Sequence, residues 1–256
     1  MTAQTASQAA GPTLAAVTIA ADDPRAAIAT FETLTGETAA VDETDYVLRL
    51  RNTSLRVTHA GSGRTGLRRL SLGVASVVER AAELERAGLA AEWSGEELVL
   101  SRELAGGIEV SFRELRPETG AIAPSAARVD HLALVVADLA SAAKRWSLIA
   151  GDTPDELGPH PLGNSVTARF LLADQMIELI SPLPGADSAI RRRLDAAGDG
   201  PIALAVIPSD AGLARAQLEA AGHRLLDQPP HVFLHPGSTG GVLVQLTPRL
   251  GHAPSS

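Results

Sequence analysis

The chain contains no cysteine, which excludes disulfides, thiolate nucleophiles and Cys-ligated zinc or iron–sulfur centres. Any metal must therefore be held by His, carboxylate or amide groups. Aromatic residues make up only 3% of the 256 residues, a scarcity that counts modestly against a groove that stacks flat ligands. Lysine occurs once, as Lys144, the net charge is −8, and the longest basic run is Arg191, Arg192 and Arg193. A nucleic-acid partner is not expected from such a charge pattern. No run of about 18 apolar residues is present, so a membrane-spanning helix is not expected either. The opening MTAQTASQAAGPT lacks the basic start and apolar core of a signal peptide, and a cytoplasmic protein with a frayed first dozen residues is the expectation. The bias of arginine over lysine, with abundant alanine, looks like a GC-rich bacterial genome.

What is present is an ordinary globular composition, 45% hydrophobic and 20% charged, in a chain long enough for one large domain or two small ones. A pattern repeats four times: an alternating apolar strand, a capped amphipathic segment closed by glycine, then further short strands. The strands that open the units are TLAAVTIAA (13–21), LRRLSLGV (67–74), VDHLALVVA (129–137) and PIALAVI (201–207). Asp23 followed by Pro24, Ser76, Asp138 and Ser209 are the expected helix starts, and Gly36, Gly88, Gly151 and Gly222 the stops. Expected apolar stripes are Ala27, Phe31 and Leu34; Val77, Ala81 and Leu84; Leu139, Ala142 and Trp146; and Ala214, Leu218 and Ala221. The stretch RPETGAIAPSAAR (116–128) reads as a linker. The expected layout is therefore a disordered N-terminus (1–12), a first domain (13–115), the linker (116–128), a second domain (129–248) and a tail (249–256), with two βαβββ units in each domain.

This layout resembles the vicinal oxygen chelate superfamily, which includes glyoxalase I, methylmalonyl-CoA epimerase and the extradiol dioxygenases. Its implied fold class is α+β, with four βαβββ modules paired into two glyoxalase-like domains. The stretches DHLALVVADL (130–139), QMIELISPLPGADSAIRRRLDAAGDG (175–200) and VFLHPGSTGGVLVQL (232–246) are most similar to the epimerase branch. For the first half the resemblance extends only to the fold.

Strand parity puts His131 with Ala133 and Val135, Glu178 with Met176 and Ile180, and Gln245 with Leu243 and Thr247. The resemblance implies that His131, Glu178 and Gln245 are metal ligands facing into a cup. The family's fourth ligand, a His, falls on Pro201, and its last Glu on Gln245. A divalent ion (Mn, Co, Mg or Zn) held more weakly than in the family is one expectation, with His160 or His235 as substitute ligands, and a metal-free cup is the other. The family's proton-moving carboxylate falls on Thr167, a poor general base. Arg169, of the same parity, can bind a carboxylate or stabilise an oxyanion, or simply lie in solvent at a sheet edge.

His160, in GPHPLGN (158–164), either reaches a ligand or stiffens its loop. Arg191, Arg192 and Arg193 read as a contact for coenzyme A phosphates or, more commonly, as a solvated helix face. GSTGG (237–241) opens no helix and reads as a tight turn at the cup mouth. In the first half the corresponding positions are expected at Ala15, Arg56, Leu67 and Ser111, where a metal is not expected. That half is expected to support the other, to close its cup, or to bind a second chain, a homodimer being one such arrangement.

Three functions compete, one of them metal-free catalysis in a shaped cavity, which the sequence does not separate from the other two. Of those two, one is an isomerase or lyase acting on a small 2-oxo acid, other oxygenated molecule or acyl-CoA. The other is a metal-free protein that sequesters small molecules in the same cup. A ring-cleaving dioxygenase is disfavoured because it needs two His and a carboxylate.

Overall fold

The computed structural model describes residues 11–115, 127–160, 163–228 and 231–247. The expected N-terminal arm up to residue 10, the expected linker from 116 to 126 and the expected tail lie outside the described residues.

The chain forms four units of one design. The first has β1 (Thr13–Ala21), α1 (Pro24–Thr35), β2 (Ala40–Asp42), β3 (Asp45–Arg49) and β4 (Ser54–His59). The second has β5 (Gly66–Val74), α2 (Val77–Arg86), β6 (Glu92–Ser94), β7 (Glu97–Leu100) and β8 (Glu109–Glu114). The third has β9 (Arg128–Val135), α3 (Leu139–Ala150), β10 (Glu156–Pro159), β11 (Ser165–Leu172) and β12 (Gln175–Pro182). After a connecting helix α4 (Ala189–Ala197), the fourth has β13 (Gly200–Ile207), α5 (Ala211–Ala220), β14 (Leu225–Gln228), β15 (His231–Leu234) and β16 (Leu243–Leu246).

Two eight-stranded sheets result, ordered β2-β3-β4-β1-β5-β8-β7-β6 and β10-β11-β12-β9-β13-β16-β15-β14. This is the paired glyoxalase-like α+β architecture. In each sheet the opening strands of two units pair antiparallel at the centre, and each also pairs parallel with the last strand of its own unit.

Local chemistry explains the elements. Asp23, Ser76 and Asp138 accept hydrogen bonds from backbone N–H groups in the first turns of α1, α2 and α3, satisfying donors a helix start leaves open. The fourth unit's helix is capped by Asp210, not by Ser209, because the Asp210 carboxylate accepts from Leu213 N. Gly36 and Gly151 take left-handed backbone (φ 76° and 77°) at the ends of α1 and α3. Ala27, Phe31 and Leu34 are buried, as are Ala142 with Trp146 and Ala214 with Leu218. Ala221 is exposed instead, since α5 ends one residue before it.

The two halves are locked together by buried polar contacts and close glycines. Asn52 bridges to β9, its amide nitrogen donating to Val129 O (2.8 Å) and its oxygen accepting from Val129 N (3.1 Å). Gln175 Nε2 donates back to Asn52 O (2.7 Å). Arg80, stacked over Phe112, donates to Leu148 O and Ile149 O at the end of α3. A Cβ at Gly107 (φ +85°) would lie 2.0 Å from Asp199 O. One at Gly240 would meet Ala21, and one at Gly241 would meet Thr65. Gly240 and Gly241, the last two glycines of GSTGG, therefore pack the second half against the first, a role the sequence alone did not suggest.

Each central strand pair contains two symmetric bulges. In the second sheet Leu132 pairs with Leu204, His131 with Ala205 and Ala133 with Ala203, whereas Val129 pairs with Val206 and Leu134 with Pro201. Asp130 and Ile202 are thus the extra residues. In the first sheet the same pattern centres on Val17 and Leu70, with Ala15 and Arg68 as the extra residues.

Candidate active site in the C-terminal cup

The bulges correct the expected register. The twofold relation of β9 to β13 makes His131 equivalent to Ala203, not Pro201, and Glu178 (beside Ala133) equivalent to Gln245 (beside Ala205). The four equivalent places of the second half are therefore His131, Glu178, Ala203 and Gln245. In the first half they are Ala16, Arg56, Arg69 and Ser111, so Ala15 and Leu67 are replaced and Arg56 and Ser111 stand. Neither Ala203 nor Ala16 has a side chain able to ligate.

His131 faces the cup with its side chain 12% exposed, and its Nδ1 lies 2.8 Å from Asp130 Oδ2, whose side chain is fully buried. Consecutive strand residues ordinarily point to opposite faces. Here the bulge turns Asp130 to its neighbour's side. A carboxylate on Nδ1 fixes the imidazole so that Nε2 is the free nitrogen. Asp130 was not foreseen as a site residue, because simple alternation puts it on the other face.

On the neighbouring strands of the same sheet, Arg169 of β11 pairs directly with Glu178 of β12. Arg169 Nε donates to Glu178 Oε1 (2.8 Å), and Arg169 Nη1 donates to Glu156 Oε2 on β10 (2.5 Å). Burial disfavours the Arg169 cation, but the two carboxylates outweigh it and raise its pKa above the ordinary arginine value. Arg169 is therefore neither a free anion clamp nor a solvent-edge residue, and only Nη2 has no hydrogen-bond partner among the described residues.

Thr167, wholly buried, bonds through Oγ1 to Leu179 O (2.9 Å) and lies 3.2 Å from Glu178 Oε1. It positions the glutamate. His160 is buried with Nε2 3.9 Å from Glu178 Oε2. Burial lowers its pKa below the usual histidine value, opposed by Glu178 and assisted by the positive potential of Arg169, His131 and His231. Those influences place His160, Glu178, Arg169, His131 and His231 in one electrostatic neighbourhood.

Gln245 Nε2 donates to Thr247 Oγ1 (2.9 Å) and lies 3.2 Å from His231 Nδ1. Beside these polar groups is an apolar cluster of Ala133, Ile180 and Ala203, with Leu243, Ile202 and Ile190 of α4 packed against it. His235 is not in the cup: its Nδ1 accepts from Gly237 N (3.1 Å) and closes the turn before β16.

This donor set does not suit a divalent ion. Among the described residues no three His, Asp or Glu side chains are grouped to hold one. Glu178, the one carboxylate of the expected set, is already bonded to a guanidinium. Like charges about 4 Å apart at a partly buried site repel by about 4 kcal/mol per unit pair.

The comparisons agree with this architecture. Residues 129–241 match the family model of the glyoxalase-like domain. A triple mutant of 4-hydroxymandelate synthase from Streptomyces coelicolor superposes with TM-score 0.73 at 18% identity, covering 91% of each chain. Methylmalonyl-CoA epimerase from Mycobacterium tuberculosis is 27% identical over 46% of this chain and 85% of its own, with TM-score 0.40. No curated protein matches. The likeness to the synthase establishes that the two-domain fold runs through both halves. No helix among the described residues is long and apolar enough to cross a membrane.

Proposed function

We propose that the C-terminal cup is the active site of an isomerase- or lyase-type enzyme that moves a proton next to a carbonyl, without a divalent ion. The substrate class is a small 2-oxo acid, related oxygenated compound or acyl thioester. The observation that carries this reading is the Asp130–His131 pair on β9 beside the Arg169–Glu178 pair on the neighbouring strands β11 and β12.

In such a step His131 Nε2 takes the proton as the C–H bond breaks, and the electron pair moves onto the carbonyl oxygen. Asp130 steadies the imidazolium that forms. Arg169 Nη2 donates to the developing oxyanion while Glu178 and Glu156 hold the guanidinium in place. His160, kept neutral by burial, donates a hydrogen bond or relays the returning proton. The wall of Ala133, Ile180, Ala203 and Ile190 admits a short apolar substituent and excludes water from it.

The test is solvent deuterium exchange, read by mass spectrometry, into a panel of 2-oxo acids and short acyl thioesters. Exchange into at least one compound that survives EDTA and is lost in His131→Ala supports the proposal. Exchange abolished by EDTA and restored by Mn, Co, Zn or Mg overturns its metal-free part. No exchange with any panel member, alongside saturable binding of an apolar metabolite, favours the sequestering protein.

A further inference from the structure

A cavity lies where the two halves meet. It has a volume of 790 Å³ and is lined from the first half by Arg64, Arg68 and Arg102, and from the second by Arg193. None of these four guanidiniums forms an ion pair with a carboxylate among the described residues. Arg102 and Arg193 instead donate to backbone carbonyls, Arg102 to Gly107 O and Arg193 to Gly198 O and Pro201 O. The two arginines also on the cleft wall, Arg56 and Arg69, are each paired with two acids. A chain of net charge −8 has thus gathered into one cleft four cations that form no ion pair among the described residues, from three separate segments and both halves, against one carboxylate on the cleft wall, Asp199, that is likewise in no ion pair there. Of the three consecutive arginines on α4 only Arg193 enters this cleft, while Arg192 pairs with Asp187 in solvent.

Like charges held together without counter-charges cost free energy unless something of opposite sign joins them. Arg193 and Arg64 sit close enough for the one to disfavour the charge of the other. Guanidinium forks converging from two sides suit a ligand with several acceptor oxygens spread over a few ångströms, which is the chemistry of linked phosphates. Gly66, Gly200 and Gly241 are also among the residues that line the cleft.

We infer that the cleft between the halves binds a diphosphate group, either as the free ion or as part of an organic ester. The arrangement needs both halves of the chain and is independent of the chemistry assigned to the cup.

The test is calorimetric titration of the full chain with inorganic pyrophosphate and, in parallel, with ADP as a probe organic diphosphate. Saturable one-to-one binding is expected, weakened about tenfold or more by Arg64→Ala with Arg68→Ala, and again by Arg193→Gln. Arg192→Ala on the solvent face should leave the affinity unchanged, as should His131→Ala in the cup. The tighter of the two ligands identifies the source of the diphosphate. Absence of binding to both at millimolar concentration overturns the inference, and so does an equal loss in Arg192→Ala. Arg64 and Arg68 are exposed, so their variants test the cleft without risk to the fold.

Discussion

Asp130 and His131 are adjacent on one strand, yet their side chains are joined at 2.8 Å, because Asp130 is the unpaired residue of a bulge in β9. The pair has the form of an oriented base: a buried acid on one ring nitrogen and a cup on the other.

Asp130→Asn keeps the shape and removes the charge that selects the tautomer. If the proposed chemistry holds, deuterium exchange falls by about a hundredfold or more, whereas thermal stability changes little. Nitrogen NMR of the His131 ring distinguishes the two tautomers directly.

Removing Arg169 leaves Glu178 buried, 5% exposed, without its cation. Arg169→Ala is expected to cost about 3–5 kcal/mol of stability in urea unfolding. Replacing both partners, Arg169→Leu with Glu178→Leu, recovers most of it, since an apolar pair leaves no orphaned charge.

His160 has a pKa lowered by burial, so the unfolded chain binds its proton more readily than the folded one. The stabilising contribution is present above the unfolded value of about 6.5 and is lost as pH falls from there toward the folded pKa. Its slope is at most about 1.4 kcal/mol per pH unit. Stability curves measured between pH 7.5 and 5 should fall less steeply for His160→Gln than for the natural chain.

Gly107→Ala drives a methyl group against Asp199 O at a backbone angle that alanine rarely adopts. The contact belongs to both halves, so neither can relax alone. A loss of about 2 kcal/mol or more is expected, with a lower melting temperature. Gly95→Ala, also at positive φ but with open space around its Cβ, reports the backbone part alone and should cost less.

The repeat was readable in the sequence because strand alternation, Asp and Ser caps, and glycine stops recur in all four units. His131, Glu178 and Gln245 do point to one side, as parity requires. What parity could not carry was the bulge, which adds a residue without breaking the apolar alternation around it. The observed pairing places the equivalents two residues on, at Ala203 for Pro201 and at Arg69 for Leu67, and one residue on at Ala16 for Ala15. The Arg169–Glu178 pairing was hidden for another reason: which residues oppose one another depends on hairpin register, and the turn residues between β11 and β12 do not state it. Short exposed strands such as β2 and β6 carry too few apolar residues to announce themselves. The contacts that join the halves, from Asn52, Gln175 and Arg80, span large separations along the chain and leave no periodic trace.

The four bulges have one further consequence. Each gives its strand a side chain that the hydrophobic core does not need, set next to a position facing the cup. In β9 that spare residue is the acid that orients a histidine; in β5 it is Arg68, a cation of the cleft; in β13 it is Ile202, packed on the apolar wall. In β1 it is Ala15, which carries no chemistry at all. The core and the chemistry of this protein are therefore written on separate residues, and the bulge positions can change without asking the core to repack.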